Sequence, residues 1–127
     1  MNKRVVLLII FASAVLAACA IGYQARGRLS GVAGELRGKA YPGNVGEGGR
    51  FALANADGTL QCDGQMWPAD RSPTPGSCVG ESGRGVVRCT DRREMTVRWT
   101  AITCRSFEGS GEDGAGNRLV FRMERSQ

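Results

Sequence analysis

Glycine constrains this chain more than any other residue type. The sequence holds 19 glycines in 127 residues. Beyond the N-terminal apolar stretch they leave no long apolar pattern at the helical period. Glycine inside a helix costs roughly 1 kcal/mol relative to alanine. What survives between the glycines is alternation, the signature of strands that bury one face.

The clearest strand runs from Met95 to Cys104, with Met95, Val97, Trp99 and Ala101 on one face and Thr96, Arg98 and Thr100 on the other. Arg118 to Met123 alternates Leu119, Phe121 and Met123 against Arg118, Val120 and Arg122. Gly85 to Cys89 and Thr59 to Met66 read as further strands, and Arg50 to Leu53 as a short one. Asp57-Gly58 supplies a hairpin turn between Arg50–Leu53 and Thr59–Met66. Trp67 to Gly80 contains Pro68, Pro73, Pro75 and Gly76 and reads as a loop. Residues 106–117 read as a Gly-rich loop, and 90–94 as a polar turn. The expected fold is all-β: a small antiparallel meander, curled into a sheet or a small barrel, behind an N-terminal signal helix. Residues 50–127 are expected to form this domain. Residues 19–49 are expected to be a Gly-rich tether, with one or two weak strands between Arg28 and Lys39.

A domain this small, with few aromatics and much glycine, gains from covalent staples. Cys62, Cys78, Cys89 and Cys104 can supply two disulfides. Zinc sites use close C-x₂₋₄-C pairs, whereas the gaps here are 15, 10 and 14 residues and the chain has no His. Antiparallel pairing of Thr59–Met66 with Gly85–Thr90 sets Cys62 opposite Cys89. A hairpin from there into Met95–Cys104 brings Cys104 near Cys78. Strand geometry thus favours Cys62–Cys89 with Cys78–Cys104. The local pairing, Cys62–Cys78 with Cys89–Cys104, stays open from sequence.

The N-terminus reads MNKRVVLLIIFASAVLAAC. Lys3 and Arg4 precede a 12-residue apolar stretch, Val5 to Leu16, which suits a signal sequence and is short for a membrane span. Leu16-Ala17-Ala18-Cys19 resembles the lipobox of bacterial lipoproteins. The resemblance implies removal of residues 1–18, diacylglycerol on the Cys19 sulfur and, in many bacteria, an acyl chain on its amine. It implies a protein held to a membrane by lipid. Ala20, where lipoproteins retained in the inner membrane of Gram-negative bacteria carry Asp, implies the outer membrane as the address. The remainder resembles small Gly-rich exported bacterial domains of unknown role.

With no His, the chain cannot build a Ser-His-Asp or Cys-His catalytic arrangement. Glu108, Glu112 and Asp113 cluster in the Gly-rich stretch and read as solvated carboxylates. The Gly-rich stretches lack the Gly-Lys-Ser/Thr of a phosphate loop, and the Asp-Gly pairs lack the alternating acids of a calcium loop. No enzyme activity, catalytic residue, metal or cofactor is expected. The net charge of +5, carried almost wholly by Arg, suits a solvated surface or contact with an anionic one. Nucleic acid is not an expected partner, since the chain is exported and shows no binding motif.

Trp99 is expected in the core. Trp67 precedes a proline in a loop and, with Arg71 and Arg84, forms the candidate recognition patch. The expected function is that of a membrane-anchored, non-enzymatic accessory or interaction domain of the envelope. The alternative is a module that binds an anionic ligand or partner, or inhibits an enzyme, through its arginines.

Overall fold

A computed structural model describes residues 22–41 and 48–125. The expected signal segment and Cys19 lie outside the described residues. Eight strands follow one another: β1 (Tyr23–Leu29), β2 (Leu36–Tyr41), β3 (Gly49–Ala54), β4 (Gln61–Met66), β5 (Ser82–Cys89), β6 (Glu94–Thr103), β7 (Ser106–Glu112) and β8 (Arg118–Arg125). Each pairs antiparallel with its sequence neighbour, and β1 pairs with β8, so the meander closes into a barrel. Closure removes both sheet edges, the sites where a meander of this kind would otherwise pair with another chain.

The expected all-β class and its barrel form are thus observed. Two boundaries are corrected. The barrel begins at Tyr23 rather than at residue 50, because the stretch expected as a tether with one or two weak strands supplies β1 and β2 in full. The stretch expected as a loop over 106–117 is strand β7 followed by a turn. In both places glycine holds some of the inward positions: Gly27 and Gly38 on β1 and β2, Gly109 and Gly111 on β7.

Those glycines make room for the core. A Cβ on Gly109 would lie 2.4 Å from the Phe121 ring, and one on Gly64 would lie 2.2 Å from the Phe51 ring. Phe51 and Phe121 stack with ring centroids 4.6 Å apart in the space so left. Around them pack Leu36, Leu53, Val87, Met95, Val97, Leu119 and Met123, all buried. Small and large residues facing each other across a narrow barrel fill it at the density of a protein interior.

Each mouth of the barrel is covered. Where β1 begins, Phe107 packs between Tyr23 and Trp99, at centroid distances of 6.1 Å and 6.0 Å. Trp99 is 7% exposed, and its indole Nε1 donates to the Trp67 carbonyl at 3.2 Å. At the opposite mouth the Arg93 guanidinium joins three hairpins. Nη1 donates to the Ser30 carbonyl at 2.6 Å and to Asn117 Oδ1 at 3.4 Å. Nε donates to Asp91 Oδ2 at 2.8 Å. Hydrogen bonding from Arg93 holds the Asp91 carboxyl below the usual carboxylate range.

The Asp57-Gly58 turn forms as expected. Gly58 sits at φ 75°, a conformation that favours glycine, and Asp57 Oδ1 accepts from the Thr59 amide and hydroxyl.

Both disulfides take the connectivity that strand geometry favours: Cys62–Cys89 and Cys78–Cys104. Cys62 lies directly opposite Cys89 in the β4–β5 ladder, and both face the core. Cys78–Cys104 ties the long β4–β5 connection to the β6–β7 turn. That connection is also fastened along β5 and β6, through hydrogen bonds from the Trp67 amide to the Arg84 carbonyl and from the Gly80 amide to the Ala101 carbonyl, each 2.8 Å. The described core is drawn wholly from Ala25 to Met123, and the sheet closes between Tyr23 and Arg125. The stretch from β1 to β8 is therefore a complete folding unit.

Candidate functional site

With the inward positions occupied by core side chains, chemistry is left to the outer wall. Three shallow concavities described on the molecule all open there. One, about 600 Å³, crosses β3, β4 and β5 and is lined by Tyr41, Arg50, Asp63, Gln65, Val86 and Arg88. A second lies beneath the β4–β5 connection beside Asp70, Arg71 and Arg98. The third lies between Arg28 and Arg118 at the mouth that Arg93 covers.

The three residues of the expected recognition patch are brought to one stretch of the wall. After β4 the chain runs back beside β5, so Trp67 meets Arg84 through its backbone, and Arg71 bridges to Ser82. Trp67 is 46% exposed. One residue that the sequence reading missed organises this patch. Asp70 accepts two hydrogen bonds from Arg98, Nη2 to Oδ1 at 2.6 Å and Nη1 to Oδ2 at 3.2 Å. The Arg84 Nε lies 3.8 Å from the same carboxylate. Hydrogen bonding from Arg98, with the charges of Arg98, Arg84 and Arg71 behind it, holds the Asp70 carboxyl below its usual range. The patch is therefore an exposed tryptophan on the same stretch of wall as Arg71, Arg84 and Arg98, with the Arg84 and Arg98 guanidiniums sharing the Asp70 carboxylate. Its composition is that of a binding hot spot, where aromatics and arginine dominate. Asp70 sits three residues after Trp67 and two after Pro68, in a loop whose path along β5 the sequence does not reveal.

A second feature appears only when the strands are placed side by side. On the wall formed by β8, β1, β2 and β3, the outward positions hold seven cations and one acid. The cations are Arg118 and Arg122 on β8, Arg26 and Arg28 on β1, Arg37 and Lys39 on β2, and Arg50 on β3. The acid is Glu124. The opposite wall, β4 to β7, holds three cations and four acids. At the centre of the cationic wall Arg26 stands directly opposite Arg37 on one side and Arg122 on the other. Arg122 pairs with Glu124, Arg37 with Glu35 and Arg118 with Glu112. Among the described residues Arg26, Arg28, Lys39 and Arg50 have no ion-pair partner. Like charges set directly opposite each other across a sheet are unfavourable, and the acids beside Arg37 and Arg122 offset part of that cost.

Glu108 and Glu112 face outward on β7, and Asp113 is taken up by the following turn, where its carboxylate accepts from the Ala115 and Asn117 amides. Among the described residues no cluster of three or more metal-ligating side chains occurs, and no helix is long and apolar enough to cross a membrane.

The architecture defines the molecule as an eight-stranded up-and-down barrel, disulfide-stapled, with a filled interior. No protein-family model matches the chain, and comparison with curated proteins and with solved structures returned no match.

Proposed function

We propose that this chain is a non-enzymatic interaction domain of the bacterial envelope, held to the outer membrane through lipid on Cys19, and that it meets its partner on the outside of the barrel. The observation that carries the reading is the filled interior. With Phe51 and Phe121 stacked against inward glycines, a ligand has no chamber to enter, and the exposed Trp67–Arg84 patch offers the composition of a protein contact. The arginine-rich wall favours the related reading of a module for an anionic ligand or partner.

The anchor is tested by metabolic labelling with an alkyne-tagged palmitate. The full-length chain is expected to take up the label, and Cys19→Ala to abolish it. Absence of label from the unaltered chain, or label that survives the substitution, would overturn the lipid anchor.

A further inference from the structure

The barrel starts close to the anchoring cysteine. Only Ala20, Ile21 and Gly22 separate Cys19 from Tyr23, the first residue of β1. Four residue steps span at most about 14 Å when fully extended. The strand that leaves this short link is β1, and β1 lies at the centre of the cationic wall, between β8 and β2.

We infer that the wall of β8, β1, β2 and β3 is a docking surface for anionic lipid headgroups, which lays the barrel on the membrane that holds its anchor. This rests on the reading of Cys19 as lipidated. Arg26, Arg28, Arg37, Lys39, Arg50 and Arg122 face outward on this wall. Guanidinium pairs with phosphate through two parallel hydrogen bonds, so a phosphate layer supplies the anionic partner that Arg26, Arg28 and Arg50 do not find among the described residues. The outward residues of β1 run from Gln24 to Arg28, a length of about 13 Å.

Docking in this way also sets which side faces outward. In the closed order of eight strands, β5 stands diametrically across from β1. Trp67, Arg84 and the Asp70 cluster lie along β5, so the recognition patch points away from the lipid. Two acyl chains already suffice to hold a protein on a bilayer. The wall therefore orients the barrel rather than retaining it.

The test uses the mature chain from Cys19 to Gln127, made without lipid as Cys19→Ser, since the barrel is a complete folding unit. Its co-sedimentation is measured with vesicles of phosphatidylcholine alone and with phosphatidylglycerol added. Binding is expected only where phosphatidylglycerol is present, and is expected to weaken as salt rises. Arg26→Gln with Arg37→Gln is expected to lower the partition constant by about thirtyfold, from the attraction of each basic residue to an anionic surface. Gln61→Glu with Ser110→Glu makes the same change in net charge on the other wall and is expected to lower it by about twofold or less. The near-ultraviolet circular dichroism of Trp99 reports that each variant is folded. Equal binding to neutral vesicles, no vesicle binding, or equal weakening by the two pairs of substitutions would overturn the proposal. Retention on an acidic polymer without vesicle binding would also overturn it and assign the wall to an acidic macromolecule. Because this assay contains no acyl chain, its failure leaves the palmitate labelling intact, and a failure of labelling leaves the wall's affinity readable.

Discussion

Truncating Phe121 to alanine is expected to destabilise the barrel by about 3–5 kcal/mol, the range for removing a large buried aromatic from a packed core. Phe121 is almost fully buried, stacks on Phe51, and fills space that Gly109 leaves beneath its ring. Its removal strips contacts from both partners. The glycine opposite has no side chain with which to close the cavity. Urea unfolding should show a lower midpoint with an unchanged slope. A loss below about 1 kcal/mol would mean that the interior repacks freely, and would contradict a barrel filled around this stack. Small domains have a total stability of about 5–15 kcal/mol, so the variant is expected to sit close to the edge of folding at growth temperature.

Removing the Cys62–Cys89 disulfide as Cys62→Ala with Cys89→Ala is expected to cost about 3.5 kcal/mol in the chain-entropy account of a cross-link. The bridged residues are 27 positions apart. Alanine rather than serine is the replacement, because Cys62 is fully buried and a hydroxyl there would lack a partner. The two bridges differ in access. Cys104 is exposed and Cys78 is partly so, whereas both Cys62 and Cys89 are buried. Mild reduction of the native protein is expected to open Cys78–Cys104 first, leaving the barrel folded and the β4–β5 connection loosened. Thiol alkylation followed by peptide mapping reads the order. Opening of Cys62–Cys89 first in a folded barrel would contradict its placement in the core.

Much of this fold was legible in the sequence, and the parts that were not share one cause. Met95 to Cys104 and Arg118 to Met123 read as strands because their inward positions carry apolar side chains. The disulfide pairing followed once those strands were set antiparallel. β1, β2 and β7 were obscured because Gly27, Gly38, Gly109 and Gly111 occupy inward positions. In a one-dimensional reading such glycines look like turn residues. In the barrel they are the space into which Leu53, Phe121 and Val97 project. The alternation was present, with arginine or lysine outside and glycine, alanine or leucine inside. Its apolar half was too small to register as hydrophobic.

The candidate recognition patch was partly legible. Trp67 beside a proline signalled an exposed indole, and Arg71 and Arg84 do lie along the same stretch of wall. Asp70 and Arg98 were missed, because their bond joins a loop to a strand 28 residues away. The cationic wall was not legible at all. Arg26 and Arg122 lie at opposite ends of the barrel sequence and become neighbours only when β1 closes on β8. A signal did exist: the cations at 26 and 28, at 37 and 39, and at 118 and 122 all fall on the outward parity of their strands.

The placement of β1 carries both the closure of the barrel and the position of that wall beside the proposed anchor at Cys19. Native-state amide hydrogen exchange over residues 23–29 tests it most directly. β1 is paired on both sides, so its amides are expected to exchange at least roughly ten-thousandfold more slowly than free chain, in step with those of β8. Exchange of residues 23–29 at the rate of an unstructured tether, with β8 protected, would contradict the closed barrel and remove the strand at the centre of the cationic wall.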